Sequence, residues 1–233
     1  MTRELAERLR REHTLRPEEY RRLLEACDEE TFGYLRAAAA ETARARFGNG
    51  IYVRGLVEIG SRCRNDCRYC GIRRSNRRAE RYRLTPETIL DCCRTGYGLG
   101  FRTFVLQGGE DPAWDDGTLT ALVAEIRRRW SDCAITLSLG ERSVASYEAL
   151  FRAGATRYLL RHETADPQLY AALHPAEMSH ARRLACLETL RRIGYQTGTG
   201  MMVGVPGQTI GTQVEDLLLI ERLRPQMIGI GPI

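Results

Sequence analysis

The segment IYVRGLVEIGSRCRNDCRYCGIRR, residues 51–74, sets an apolar, β-branched run directly against a loop carrying Cys63, Cys67 and Cys70 among Arg62, Arg64, Arg68, Arg73 and Arg74. Its first nine residues, IYVRGLVEI, read as a strand. After the cysteine loop, LTPETILDCCRTGYGLG reads as a helix with Thr85 as cap and Pro86 at its first position. FRTFVLQGG supplies the next strand, so the cysteines occupy the strand-to-helix connection of a first β/α unit.

The rhythm continues to the last residue. LTALVAEIRRRW, SVASYEALFRAGA, MSHARRLACLETLRRIG and TQVEDLLLIERL read as amphipathic helices, and CAITLSLG, TRYLLR, TGTGMMVG and QMIGIGP as strands between them. Apolar strands alternating with such helices imply parallel pairing through right-handed crossovers. A doubly wound sheet and a (β/α) barrel both fit this pattern. Polar and glycine residues gather where strands end, at 58–62, 107–110, 138–141, 161–163 and 204–208, and in a barrel those ends share one face, where such folds place their chemistry. The expectation is an α/β fold of the TIM-type (β/α) barrel kind, incomplete here because six units are present against the eight of a closed barrel. Residues 3–46 carry apolar positions at helical spacing, among them Leu5 and Leu9, Leu23 and Leu24, Phe32 and Leu35. Two or three short helices are expected there, one opened by Pro17, giving a helical arm over 1–47 before a barrel domain over 48–233.

Arginine supplies all the basic charge, since the chain has no lysine, and the formal balance is only +5 against 30 acidic residues. The arginines are scattered over helical faces without interleaved aromatic platforms, which argues against nucleic acid as a partner. MTRELAERLRREHT has no apolar core of a signal peptide, and no run of 18 apolar residues occurs, so a cytoplasmic protein without a membrane span is expected. Eight cysteines without an export signal then read as cytosolic thiols plus one ligand cluster rather than as a disulfide framework.

Three thiolates on one short basic loop leave three readings open. Structural zinc asks for four ligands, commonly two separated pairs, and no CxxC pair or obvious fourth ligand is present. A [4Fe-4S] cluster held by three cysteines keeps one iron free, which is useful where something binds to that iron. Unrelated thiols are the third reading. Spacing favours the cluster, and a zinc-supported, arginine-rich binding protein is the non-enzyme alternative.

CxxxCxxC with Tyr69 just before its last cysteine, placed after the first strand of a (β/α) barrel, resembles the radical S-adenosylmethionine (SAM) superfamily. CGIRRSN, RYRLTPE, VLQGGEDP, TLSLGE, RYLLRHETADP, MVGVPGQT and GIGP resemble within it the [FeFe]-hydrogenase maturase HydE family, relatives of biotin synthase and methylornithine synthase. That resemblance implies an enzyme holding a [4Fe-4S] cluster on Cys63, Cys67 and Cys70, with SAM on the open iron. Reductive cleavage of SAM would then yield a 5′-deoxyadenosyl radical that modifies a small cysteine-derived, iron- and sulfur-containing precursor during hydrogenase active-site (H-cluster) assembly. Relatives of the biotin synthase or methylornithine synthase type, acting on another small substrate, are the enzymatic alternative. The implied partners are a small-molecule substrate, an electron donor such as ferredoxin or flavodoxin, and the other hydrogenase maturases.

Residue by residue, the resemblance puts Tyr69, Gly109, Glu110, Glu163, Arg183 and Met202 at the SAM site. An arginine fork at position 183 suits the methionyl carboxylate, although Arg182 beside it leaves that assignment open by one residue. Glu163 and Arg161 are the candidate catalytic pair, and Thr136, Ser138, Arg161, His162 and Thr164 are the candidates for substrate recognition. Strand alternation sets Leu159, Arg161 and Glu163 on one side and Tyr158, Leu160 and His162 on the other, and puts Thr136 and Ser138 on a shared face. VGVPGQT has no GxxxxGK[ST] pattern, so it reads as a strand-to-helix turn rather than a phosphate loop.

Overall fold

The structure, a computed structural model, describes residues 2–233. Its elements in chain order are α1 (Thr2–Glu12), α2 (Pro17–Glu25), α3 (Glu29–Phe47), β1 (Gly55–Gly60), α4 (Pro86–Gly98), β2 (Thr103–Gly108), α5 (Asp116–Arg129), β3 (Ala134–Ser138), α6 (Val144–Ala153), β4 (Arg157–Leu159), α7 (Pro167–Leu173), α8 (His180–Ile193), β5 (Gln196–Val203), α9 (Ile210–Leu223) and β6 (Met227–Pro232). They form two compact units, residues 2–52 with 205–224, and residues 53–204 with 225–233.

In the first unit, α1, α2 and α9 bury Ala6, Leu15, Tyr20, Leu23 and Val214 together. Glu19 lies 3% exposed, takes the Arg16 backbone N–H at 3.0 Å, and pairs with the guanidiniums of Arg16 and Arg8. Those two arginines hold its carboxyl at about 2, well below the usual carboxylate range.

The second unit contains one parallel sheet in the order β1-β2-β3-β4-β5-β6. Each strand adds to the same side of its predecessor, so right-handed crossovers place the connecting helices of this unit, α4, α5, α6 and α8, on a single face. A doubly wound sheet would reverse its order partway, and this one does not. The sheet is an open arc with β1 and β6 at its edges. Alternate residues divide between its faces. Phe104, Leu106, Ile135, Leu137 and Tyr158 are buried, and Gly96 lets α4 approach the Phe104 ring, where a Cβ would sit 3.0 Å from it. On the other face, pairing aligns Leu56, Val105, Thr136, Arg157 and Gln196 in one row, and Glu58, Gln107 and Ser138 in a row nearer the strand ends.

Helices open where capping chemistry predicts. Thr85 accepts the Thr88 N–H at 3.2 Å with Pro86 first in the helix, and Pro17 begins α2. The apolar run from Ile51 starts its strand only at Gly55, because Ile51, Tyr52 and Val53 are exposed and take no place in the ladder. The third N-terminal helix is 19 residues long rather than short. Alternation did not foresee that β4 ends at Leu159, nor that Glu163 adopts φ +69°.

Candidate active site

The cysteine loop leaves β1 and folds around one side chain. Arg81 donates to the carbonyls of Ser61, Ile72, Arg73 and Asn76 at 2.5–3.0 Å, so a single guanidinium satisfies four acceptors that a loop otherwise leaves to water. Backbone turns Cys70 N–H to Cys67 and Arg73 N–H to Cys70 wind the ligand stretch. Asp66 accepts the Ser75 N–H at 2.9 Å and ties the two limbs of the loop together. Sequence reading missed Arg81 because any one of the loop arginines could have taken this role.

Cys63, Cys67 and Cys70 all line one cavity of about 450 Å³ at the strand ends. Burial pushes the Cys67 thiol up to about 11 and raises that of Cys63; Cys67 also feels Cys63 and Cys70 electrostatically, and Cys63 feels Glu110 and Cys70. Metal binding would expel the protons of these two thiols.

The turn after β2 clasps this loop. Glu110 receives the Arg64 N–H on its backbone carbonyl at 2.9 Å, pairs with the Arg64 guanidinium at 2.9 Å, and takes the Glu141 N–H at 2.8 Å. Gly140, at φ +71°, is required here: a Cβ would collide with the Glu110 carboxyl. Gly109 is required as well, since its Cβ would lie 2.6 Å from that of Cys63.

Beyond β4 the chain bends through Leu160–His162 and rejoins β5 at Glu163, whose N–H bonds Gly200 and whose carbonyl takes the Met202 N–H. The left-handed backbone there holds Glu163 against the cavity wall at 9% exposure. Burial raises its carboxyl, against the opposing pull of Arg161 and Arg183. Glu163 Oε2 lies 3.8 Å from Arg161 Nε, and both atoms are buried without a hydrogen-bond partner. Strained backbone and unsatisfied charge in one place mark a functional site more often than a structural one.

Arg183, in the first turn of α8, is buried in the same wall, while Arg182 is 60% exposed. Arg183 donates from Nε to Glu141 at 2.8 Å and from Nη1 to the Arg161 carbonyl at 2.6 Å. Of the two arginines, only Arg183 lines this cavity. Tyr69 also lines it and points its hydroxyl at His174.

The cavity thus gathers Cys63, Cys67, Cys70, Tyr69, Gly109, Glu110, Ser138, Arg161, Glu163 and Arg183 from five separate stretches. Four other candidates lie off its wall. Thr136 is buried one row deeper, and its Oγ1 has no hydrogen-bond partner. His162 turns away, with its Nδ1 3.0 Å from the Thr199 hydroxyl. Thr164 is fully buried and accepts the Asp166 N–H at 3.3 Å. Met202 is buried beside Glu163 and touches it through the backbone. Glu58, Gln107, Tyr82 and Met178 line the cavity and were not singled out; the in-register row of β1 and β2 was the available signal for the first two.

These residues fit a three-cysteine cluster with a small zwitterionic ligand. Three soft donors sit on one loop, the carboxylate of Glu163 and the guanidiniums of Arg161 and Arg183 surround the space beside them, and an orphaned carboxylate oxygen awaits a donor. The fourth ligands that zinc would need are engaged or placed elsewhere: Cys92 is exposed on α4, and His162 Nδ1 lies 3.0 Å from the Thr199 hydroxyl.

A parallel β/α arc whose first strand-to-helix loop carries three cysteines defines an iron–sulfur enzyme of the radical SAM type, and the Radical SAM superfamily profile matches residues 57–220, so the chain belongs to that superfamily. Its members use a [4Fe-4S] cluster and SAM. Within it, the chain is 46% identical over 194 residues to the [FeFe] hydrogenase maturase subunit HydE of Thermotoga maritima, covering 83% of this chain and 55% of that protein. It is 27% identical over 219 residues to 3-methylornithine synthase of Methanosarcina barkeri, covering 94% and 62%. The crystal structure of methylornithine synthase (PylB) superimposes with a TM-score of 0.89 at 27% identity over 98% of this chain and 67% of that one. The maturase HydG shares the fold, with a TM-score of 0.82 at 22% identity over 99% of this chain and 54% of that one. The chain therefore spans little more than half the length of the curated relatives it matches.

Proposed function

We propose that this chain carries the cluster- and SAM-binding part of a HydE-type maturase, acting on a small cysteine-derived, iron- and sulfur-containing precursor in assembly of the [FeFe]-hydrogenase active site. The observation that carries the reading is the convergence of Cys63, Cys67 and Cys70 with Arg161, Glu163 and Arg183 on one cavity. When bound there, the cluster and SAM supply a 5′-deoxyadenosyl radical. The protein's own residues do the rest. Glu163 offers a charge-assisted acceptor to an ammonium or ribose hydroxyl, and Arg183 presents a positive charge to a carboxylate. Ser138, with Thr136 one row below, lines the path toward the arc's interior, where a small substrate would wait.

Partners in this reading are a ferredoxin or flavodoxin as reductant and the other hydrogenase maturases, within the cytoplasm. Among the described residues no helix is long and apolar enough to cross a membrane. A methylornithine synthase-like activity is the second reading, favoured by the close superposition on PylB. Anaerobic purification decides the first step: about four irons and four sulfides per chain, air-sensitive, with 5′-deoxyadenosine formed under dithionite, is the expected result. Stoichiometric zinc, without the iron, sulfide or 5′-deoxyadenosine formation, would overturn it. Restoration of hydrogenase activity in a HydE-deficient maturation assay separates the two enzyme readings.

A further inference from the structure

Nine arginines face two acids, Asp66 and Glu80, between residues 62 and 83, on the same loop that bears the three cysteines. The structure sorts them. Arg81 and Arg73 donate to carbonyls of the loop itself. Arg64 and Arg83 are neutralised by Glu110 and Asp111. Arg62, Arg68, Arg74, Arg77 and Arg78 remain exposed, form no ion pair among the described residues, and none of them lines the cavity. Five solvated guanidiniums on one short loop repel each other; Arg74 lies near Asp66 and Arg62 near Asp111, but none of the five forms an ion pair among the described residues.

We infer that these five arginines are the docking surface for a small acidic one-electron carrier protein. This rests on the functional reading above and adds the place where the electron enters. The cavity side of the cysteines is given to SAM in that reading, which leaves the exposed arginines of the same loop, none of which lines that cavity, as the charged surface next to the cysteines in sequence. In the transfer, the carrier gives up one electron and is oxidised while the bound cluster is reduced by one; no bond forms or breaks. An acidic protein is favoured over a single-stranded nucleic acid because the loop offers no row of aromatic platforms for successive bases: Tyr69 is committed to His174, leaving Tyr82 as its one exposed ring. Charge complementarity of this kind acts chiefly on the association rate and is screened by salt.

The test uses reduced flavodoxin as probe and the variant R68S/R74S/R77S/R78S, with cluster bleaching near ~400 nm as readout. The second-order rate of reduction should fall about 10-fold or more in the variant, and similarly for the wild type on raising salt from about 50 to about 300 mM. Photoreduced deazaflavin, a small uncharged donor, should reduce both proteins equally, with iron content unchanged. Flavodoxin titrated calorimetrically into cluster-free chain should show the same arginine dependence, so a chain that never holds a cluster would defeat the functional reading and leave the docking test standing. Equal flavodoxin rates and affinities in variant and wild type, loss of iron in the variant alone, or arginine-dependent binding of an oligouridylate that flavodoxin does not displace would each overturn the inference.

Discussion

The Tyr69 hydroxyl lies 2.9 Å from Nε2 of His174, and the other ring nitrogen, Nδ1, lies 2.8 Å from the carbonyl of Tyr170. A carbonyl can only accept, so Nδ1 carries the proton and Nε2 accepts from Tyr69. The neutral ring thereby holds the tyrosine that stands between two cluster cysteines, and the Arg68 N–H bond to Leu173 adds a second tie to the same segment.

Burial lowers the His174 ring to about 4 from its ordinary value near 6.5. The unfolded chain therefore takes up the proton first as pH falls. Stability from this residue is complete above about 6.5 and is lost progressively between there and about 4, a cost on the order of 2 kcal/mol. Urea denaturation of the cluster-free protein at pH 7 and pH 5 should show the loss, and His174→Gln should flatten that pH slope. An unchanged slope in the variant would assign the effect elsewhere.

Gly140→Ala should destabilise the protein by about 3 kcal/mol. Left-handed backbone costs about 1–2 kcal/mol with a side chain, and displacing the Glu110 carboxyl forfeits a charge-assisted bond to the Glu141 N–H. The denaturation midpoint reads this directly, and a shift equivalent to less than 1 kcal/mol would mean that Glu110 moves freely.

Replacing Cys63, Cys67 or Cys70 by serine should cut bound iron by more than half, whereas Cys92→Ser, exposed on α4, should leave it unchanged. Arg81→Met should also lower iron, although it ligates nothing, because four loop carbonyls lose their donor. Arg81→Lys should fail to restore loading, since one ammonium cannot span those acceptors. Iron and sulfide assays after anaerobic reconstitution compare all six.

Glu163→Gln and Glu110→Gln should part company. Glu163 has an unsatisfied carboxylate oxygen beside the cavity, so the amide should weaken SAM binding roughly 10-fold or more while iron stays at the wild-type level. Glu110 clasps Arg64 of the cysteine loop, so its amide should release iron faster to a chelator as well as weaken binding. SAM affinity measured beside the chelation rate separates them, and iron loss in the Glu163 variant would place that residue in folding instead.

Local chemistry made much of this legible in the residues alone. Period and capping located the helices, since Thr85–Pro86 and Pro17 act within a few residues of themselves, and an unbroken alternation of strand and helix implied sequential parallel pairing with the cysteine loop at the strand ends. Cysteine spacing picked out Cys63, Cys67 and Cys70 because all three ride on one short loop, and all three line one cavity. Tertiary structure alone decided which side chains share the space beside them. Thr136 and Ser138 lie on one face, yet only Ser138 reaches the cavity, because depth along a strand is set by the register of its neighbours. The left-handed turn at Glu163, the choice of Arg183 over Arg182, and the use of Arg81 rather than another arginine to fold the loop depend on contacts between residues 20 to more than 40 positions apart. No local pattern encodes such distances, and it is there that the unsatisfied charge of the site collects.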